Sequence, residues 1–296
     1  MMTSLVLRLW AFKLSLLPRS WALALGALLG RLWFSVIRVR RRVVLDNLAR
    51  CLPELSSAER KRIALECYRN LGRAAVEFLL AARQPGDELV ELVRLEGIEH
   101  VEQARAAGHG AIVITGHFGN WDLLCAAAAA AGHPLHVVTK QLSASGFDRF
   151  WQEMREQKGV RLLPARGSLT ELLDVLKQNE ILALVVDQHD PSPSAVVVDF
   201  LGRPAAATAA PALLARRTGA PLLPVFAERL PDGTHRARIG EAIECSRTGD
   251  LKQDVRETTQ RIQNTLEQAV RARPDHWLWL HRRWKAERGR HEIAGA

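Results

Sequence analysis

The sequence has little of what nucleic-acid and metal sites need. It contains a single tyrosine and neither the Cys/His spacing of a zinc finger nor an aromatic RNA-binding strand, which argues against a nucleic-acid partner. No histidine pairs with a second ligand at metal spacing, so we predict no metal and no cofactor. The cysteines form no C-x-x-C pair and are interpreted as reduced thiols: Cys51, Cys67, Cys125 and Cys245.

The charge is basic and the apolar content is ample. Lysine and arginine number 41 against 32 acidic residues, a net charge of +9, and 48% of the 296 residues are hydrophobic. This length and content predict one large domain, or one domain with an appendage. The basic surplus suits an anionic partner such as an anionic lipid or an acidic protein.

The most apolar segment, residues 5–37, lacks a clean stretch of about 20 apolar residues, because Arg31 interrupts its second half. A basic cluster follows at residues 38–42, where a signal peptide would have a small-residue cleavage site. We favour membrane attachment, either as a marginal transmembrane helix or as an interfacial anchor with tryptophans at the headgroup level. The alternative is a buried helical hairpin. We take 1–40 as the anchoring segment and 41–296 as the main domain.

Beyond residue 85, apolar runs of strand length alternate with helix-period segments. The predicted strands are 89–95, 111–115, 135–139, 160–163, 181–186, 196–200, 222–227 and 235–239. The predicted helices are 98–107, 121–131, 147–157, 169–178, 211–217, 251–271 and an aromatic-basic helix at 277–285. Such alternation predicts an α/β fold, with a mostly parallel sheet flanked by helices.

The segment from Gly116 to Asp122 lies where a predicted strand passes into a helix. We predict that Asp122 folds back onto His117 and fixes its tautomer, which leaves a ring nitrogen free as a base near neutral pH. The other possibility is a structural pair that satisfies a helix N-terminus or a buried polar network. No G-x-S-x-G motif supplies a nucleophile, so the base is expected to activate a hydroxyl of the substrate.

The motif Gly-His-Phe-Gly-Asn-Trp-Asp at 116–122 resembles the H-x4-D/E box of the lysophospholipid acyltransferase superfamily. Within it, the chain resembles the late acyltransferases of lipid A biosynthesis. The resemblance runs nearly end to end and includes further blocks at 47–56, 187–188, 200–204 and 277–285.

This resemblance implies an enzyme at the cytoplasmic face of the bacterial inner membrane, among membrane phospholipids. It would transfer a fatty acyl chain from acyl carrier protein to a hydroxyl of a lipid A precursor or related glycolipid. By resemblance, His117 is the general base and Asp122 its orienting acid. The positions expected to contact substrate are Gly119, Asn120, Arg155, Arg166, Asp187 and Arg203.

Two of these residues also have a physical interpretation. Arg166 precedes Gly167 and Ser168, a helix start suited to an anion, so it could hold a phosphate or an oxyanion. A solvated surface arginine is the alternative. Asp187 ends an apolar strand and could orient Arg166 or the acceptor; alternatively it caps a helix or holds a loop.

The acceptor is the open question. Late lipid A enzymes often carry Glu at the position of Asp122, whereas Asp is usual in the glycerolipid branch. That branch's F-P-E-G-T-R block is absent, and Phe-Leu-Gly-Arg-Pro stands at 200–204. The alternative function is a lysophospholipid or other glycolipid acyltransferase that uses acyl-CoA or acyl carrier protein. A non-catalytic membrane-binding protein on the same fold is a third possibility.

The C-terminal block is expected either to face a membrane or partner, or to pack its tryptophans into the core.

Overall fold

The computed structural model describes residues 2–140, 145–165, 167 and 169–285. A seven-stranded sheet in the order β1-β9-β8-β2-β5-β3-β4 forms its centre, beside a two-stranded β6–β7 hairpin. The strands are β1 Val93–Glu96, β2 Ala111–Thr115, β3 Leu135–Thr139, β4 Arg161–Pro164, β5 Ile181–Val185, β6 Val196–Asp199, β7 Pro204–Ala207, β8 Leu222–Arg229 and β9 His235–Ile239.

Helices cover both faces of the sheet. They are α1 Met2–Ser15, α2 Arg19–Leu32, α3 Arg41–Cys51, α4 Ser57–Ala81, α5 Gly86–Leu92, α6 Ile98–Ala106, α7 Trp121–Ala130, α8 Ser145–Gln157, α9 Leu169–Lys177, α10 Ala210–Thr218 and α11 Leu251–Ala272. A π-helical turn, Trp33–Ile37, extends α2, and a short 3-10 helix, Pro274–His276, follows α11.

The sheet is mostly parallel, as predicted. Strand β2 runs parallel to β5 and β8, and β3 runs parallel to β4 and β5, while β8 and β9 are antiparallel. Alternate residues of β2 face opposite layers. Ile112 and Ile114 pack in a cluster with α9, α10 and α11, whereas Ala111 packs with α5, α6 and α7. A strand covered on both faces must be apolar throughout, which explains the run at 111–115.

The N-terminal helices pack on the rest of the chain. A Cβ at Gly30 would lie 2.1 Å from the Tyr68 carbonyl oxygen, and one at Gly72 would lie 2.0 Å from that of Gly26. Glycine at these positions therefore lets the backbones of α2 and α4 touch. Arg19–Ile37 is also long and apolar enough, by length and composition, to serve as a membrane anchor.

Two predicted elements are wrong. The strand predicted at 89–95 begins only at Val93 and is preceded by α5, whose first turn carries Asp87 and Glu88, favourable near a helix N-terminus. The helix predicted at 277–285 is also absent from the described residues. Trp277 and Trp279 are both buried, which a spacing of two achieves in extended backbone and not in a helix.

Candidate active site

The site lies at the carboxyl ends of two neighbouring parallel strands. Thr115 of β2 pairs with Val185 of β5, so the residues that follow each strand emerge side by side. A Cβ at Gly116 would come within 3.3 Å of the Asp187 side chain. The small residue thus allows the two chain segments to approach, and the sheet brings His117 to Asp187.

Asp187 holds His117 at two points. Its Oδ1 lies 2.8 Å from Nδ1 of the His117 ring, and its Oδ2 accepts a hydrogen bond of 2.8 Å from the His117 backbone N–H. The indole Nε1–H of Trp277 donates to the same Oδ2 at 2.9 Å. This buried carboxylate therefore fixes both the position and the orientation of the imidazole.

The electrostatics of the pair follow from its geometry. Burial disfavours the Asp187 charge, but the charge and hydrogen bonds of His117 outweigh it and lower the pKa of Asp187 to about 2. Burial also acts to lower the pKa of His117, but the Asp187 carboxylate reverses this, and the pKa of His117 is raised above its ordinary value. The ionised carboxylate selects the tautomer with the proton on Nδ1, which leaves Nε2 able to accept a proton.

Asp122 is held by other residues. Its Oδ1 accepts hydrogen bonds from Arg155 Nε at 2.9 Å, from Arg155 Nη2 at 2.6 Å and from Trp151 Nε1 at 2.9 Å. The structure differs from the prediction that Asp122 folds back onto His117: among the described residues, the carboxylate hydrogen-bonded to the His117 ring is that of Asp187. Asp122 lies in the first turn of α7 and is directed toward α8. It still acts, after Asp187, to raise the pKa of His117.

Gly119 and Asn120 shape the turn. Gly119 has φ +61, and a Cβ there would lie 1.8 Å from the Ala227 carbonyl oxygen. Asn120 is buried; its Oδ1 caps α7 by accepting from Leu123 N–H, and its Nδ2 donates to Glu77 at 2.7 Å. Both residues make contacts within the protein, and the substrate contacts predicted for them stay a prediction.

Two of the other predicted substrate-binding residues, Asp187 and Arg155, lie near His117. Arg155 is 4% exposed, and its guanidinium lies 4.0 Å from the centre of the Trp151 ring. The same guanidinium donates its hydrogen bonds to Asp122. Asp187 is hydrogen-bonded to His117. The sequence instead suggests that Asp187 orients Arg166 or the acceptor, or else caps a helix or holds a loop. Arg203 lies in the β6–β7 hairpin, where its backbone bonds to Phe200. Arg166 lies outside the described residues.

The C-terminal segment 276–284 braces the site, a role that sequence reasoning missed. The backbone N–H of Leu278 donates to the His117 carbonyl oxygen at 3.0 Å. Arg283 is fully buried and donates to the Gln188 carbonyl oxygen at 2.9 Å. The family-like block at 277–285 was the signal for this segment. Of the two alternatives for its tryptophans, the structure shows the one in which they pack into the core.

A small apolar cavity of about 60 Å³ lies between α7 and the sheet. Its lining includes Thr115 at the end of β2, Trp121 at the start of α7, and Cys125 and Ala128 one and two turns further on. The Trp121 ring packs edge-on against His117 with centroids 4.8 Å apart. Trp121 therefore contacts both the imidazole and the cavity, which extends under α7. No group of three metal-ligating side chains occurs in the described ranges.

Comparison with known proteins shows the family to which the chain belongs. A model of the bacterial lipid A biosynthesis acyltransferase family matches residues 1–286. The lipid A biosynthesis lauroyltransferase of Escherichia coli (strain K12) is 28% identical over 265 residues, 88% of this chain and 84% of that protein. The palmitoleoyltransferase of the same organism is 26% identical over 270 residues, again 88% and 84%. A phosphatidylinositol mannoside acyltransferase of Mycolicibacterium smegmatis is 30% identical over 230 residues, 76% of this chain and 72% of that protein.

These relatives are acyltransferases, and the names of those compared here refer either to lipid A or to a mannosylated glycolipid. The family match spans the whole described chain, including the strand end that carries His117 and the segment that braces it. The chain is an acyltransferase and belongs to the bacterial lipid A biosynthesis acyltransferase family.

Proposed function

We propose that this protein transfers a fatty acyl chain from acyl carrier protein to a hydroxyl of a lipid A precursor, at the cytoplasmic face of the bacterial inner membrane. The observation that carries the proposal is the His117–Asp187 pair, in which a buried carboxylate lies 2.8 Å from Nδ1 and the opposite nitrogen is left as a base. His117 retains 20% side-chain exposure, so a substrate can reach it.

The proposed reaction needs no covalent enzyme intermediate. Nε2 of His117 accepts the proton of the acceptor hydroxyl while the oxygen attacks the thioester carbonyl. The tetrahedral intermediate collapses to the ester and expels the carrier thiolate, which takes the proton from His117. Burial raises the pKa of Cys67 and of Cys125 to about 12, so neither thiol is suited to act as a nucleophile.

Two side chains adjoin the base in this proposal. The Gln188 amide nitrogen lies 3.3 Å from Nε2 and 3.4 Å from Nδ1 of His117, so it adjoins both ring nitrogens. Asp122 is retained as a charged neighbour that holds Arg155 and adds to the negative potential around the imidazole. The predicted contacts of Arg166 and Arg203 with substrate remain part of the proposal.

The acyl chain is assigned to the apolar cavity under α7, which must widen to admit it, because pockets for ligands of this size enclose about 300–1,000 Å³. Trp121, which packs against the His117 ring, lines the cavity together with Thr115, and the remaining lining includes Leu124, Cys125 and Ala128. A thioester carbonyl placed near Nε2 would thus let its hydrocarbon tail enter the protein and leave water. The depth of this cavity would set the preferred chain length.

Membrane attachment is assigned to the outer face of α1 and α2. Large apolar side chains on this face are exposed, and Leu5 and Trp21 are 68% and 69% exposed. Contiguous apolar exposure of this kind is typical of a lipid or protein contact. We propose that this face lies in the bilayer, which would bring the site to the surface where acyl acceptors are found.

A second candidate is acylation of another glycolipid, favoured by the 30% identity to a phosphatidylinositol mannoside acyltransferase. One assay separates the two. Purified protein receives radiolabelled acyl carrier protein and either a lipid A precursor, a phosphatidylinositol mannoside or a lysophospholipid. Transfer to the lipid A precursor supports the proposal, whereas transfer only to another acceptor would replace it.

Mass spectrometry of lipid A from cells with and without the gene gives an independent test. The proposal expects one acyl chain to be missing from the deletion strain and restored by the wild-type gene. Restoration by the His117→Ala gene would exclude the proposed base.

A further inference from the structure

Glu77 of α4 is a fully buried carboxylate with more partners than any single ion pair requires. Its oxygens accept hydrogen bonds from Arg229 at 2.5 and 2.6 Å, from Arg19 at 2.6 Å, from Asn120 at 2.7 Å and from His235 at 3.0 Å. These partners come from α2, from the start of α7, from β8 and from β9. One carboxylate thus joins elements that are distant in sequence.

One branch of this network ends at the catalytic turn. Asn120 stands three residues after His117, and its amide is divided between two tasks. Nδ2 donates to Glu77, while Oδ1 caps the first turn of α7 through Leu123 N–H at 3.1 Å. The position of the cap, and with it the path of the chain from His117 into α7, depends on where Glu77 holds the amide.

The other branch ends at the apolar N-terminal hairpin. Arg19 is the first residue of α2, and its guanidinium also contacts the Gly233 carbonyl oxygen at 3.4 Å. Glycine contacts between α2 and α4 bring the two backbones together, so α2 has little freedom to slide along α4. The outward face of the same helix carries exposed apolar residues, among them Trp21, Leu28 and Leu29.

We propose that Glu77 is a positioning residue that fixes the catalytic turn relative to the membrane-facing helix α2. The depth of α2 in a lipid bilayer then sets the position of His117 relative to the bilayer surface. This inference rests on the proposed membrane contact of α2. It assigns Glu77 no contact with substrate.

The donor–acceptor pair between Glu77 and Asn120 can be inverted. Glu77→Gln removes the carboxylate, and Asn120→Asp keeps a good helix cap but sets two carboxylates against each other. In the double variant the introduced amide faces the introduced carboxylate, and the net charge of the cluster is unchanged. We expect each single variant to lose on the order of 10- to 100-fold in kcat with little change in KM for the acyl donor, because displacement of the base by about 1 Å is this costly. The double variant should recover most of this loss.

Asp254→Asn is the matched control. Asp254 is also buried and bonded to an arginine, Arg216, and to Thr248, but it lies in α11 away from the catalytic turn. It should lower the thermal midpoint without lowering kcat per folded molecule. A merely structural role for Glu77 predicts the same behaviour for Glu77→Gln, and that result would overturn the proposal.

Arg19→Gln tests the coupling to the membrane in a variant that should fold, because the Arg19 side chain is 26% exposed. Activity is measured with the acceptor that the wild type prefers, first in detergent micelles and then in phospholipid vesicles. We expect near wild-type rates in micelles and a loss of about 5-fold or more in vesicles, the size of a typical coupling between sites. A ratio of Arg19→Gln to wild-type activity that is the same in micelles and in vesicles would refute the coupling. Since the acceptor is chosen by wild-type activity, failure of the lipid A proposal would show separately, in the choice of acceptor.

Discussion

The imidazole Nδ1 of His117 lies 2.8 Å from Oδ1 of Asp187, a residue 70 positions further along the chain. The two residues follow adjacent parallel strands, and Trp277 from the C-terminal segment donates to the same carboxylate. The base and its acid are therefore held by three separate parts of the chain, and their alignment depends on the intact fold.

Replacement of His117 by alanine should abolish acyl transfer while the protein stays folded. Loss of a positioned base costs about 10²- to 10⁴-fold, and the exposed edge of the ring makes His117 a minor part of the core. The measurement is transfer from radiolabelled acyl carrier protein, with near-UV circular dichroism as the test of folding. His109→Ala, at an exposed position before β2, is the matched control and should be fully active. Wild-type rates for His117→Ala would exclude it as the base.

Asp187→Asn should lower kcat by about 10²- to 10⁴-fold and also move the pH profile. The base must be neutral to accept a proton, so activity rises as the pH passes the pKa of His117. Asp187 raises that pKa, and its removal should shift the acidic limb of kcat/KM to lower pH. A limb that stays in place would show that Asp187 does not set the protonation of His117.

Asp122→Asn gives the corresponding test of the second acid. It removes a charge that acts on His117 more weakly than Asp187 does, so the acidic limb should shift less in the same direction. The same change leaves Arg155 buried beside a neutral amide, so the thermal midpoint should fall. A larger shift of the limb than in Asp187→Asn would restore Asp122 as the main orienting acid.

The stability that Asp187 and His117 share should depend on pH in both directions. The pKa of Asp187 is lowered to about 2, so its contribution is present above the unfolded value of about 3.9 and is lost as the pH falls toward 2. The pKa of His117 is raised, so its contribution is complete below about 6.5 and is lost as the pH rises through the folded value. The difference in thermal midpoint between wild type and Asp187→Asn should be largest between about pH 4 and 6.5. A difference independent of pH would contradict this linkage.

Ala128→Phe should shorten the acyl chain that is transferred. Ala128 lines the apolar cavity about two turns along α7 from Trp121, and a phenyl ring there fills space deeper than the base. The ratio of kcat/KM for long over short acyl donors should fall by about 10-fold or more, since one methylene in such a site is worth about 10- to 200-fold. Val197→Phe, on the exposed side of β6, is the control. An unchanged chain-length preference would place the acyl chain elsewhere.

Leu29→Glu should release the protein from membranes. Leu29 is 52% exposed on α2, and burial of a leucine side chain is worth about 1.5–3 kcal/mol, so its replacement should weaken vesicle binding by about 10-fold or more. Flotation with anionic phospholipid vesicles measures the binding. Leu251→Glu, equally exposed at the start of α11, should bind as the wild type does. Equal flotation of both variants would exclude α2 as the membrane contact.

Much of the central sheet could be predicted because parallel strands buried on both faces are short, continuous apolar runs. The runs at β2, β3 and β9 have the predicted bounds. The capping box of α4 is a local signal of the same kind, since Ser56 and Glu59 bond reciprocally. Signals of this kind depend on neighbours within a few positions, so they do not depend on how the rest of the chain packs.

The errors arose where distant residues decide the structure. The tryptophans of the C-terminal segment have a composition suited to an amphipathic helix, but Trp277 and Trp279 fill a core built by α3, α4 and α11. Residues 89–92 are apolar enough for a strand, but Leu89 packs with α7 from within a helix. In both cases tertiary packing overrode the local pattern.

The amino-acid sequence alone determined that His117 stands at the end of an apolar strand, without an enzymic nucleophile and within a family-like box. Which carboxylate is hydrogen-bonded to His117 depends on the tertiary structure. Asp122 is near in sequence, but the first turn of α7 directs it to Arg155, whereas Asp187 arrives from β5. The order of strands in the sheet sets this choice, because the hydrogen bonds between strands join residues that no local spacing relates.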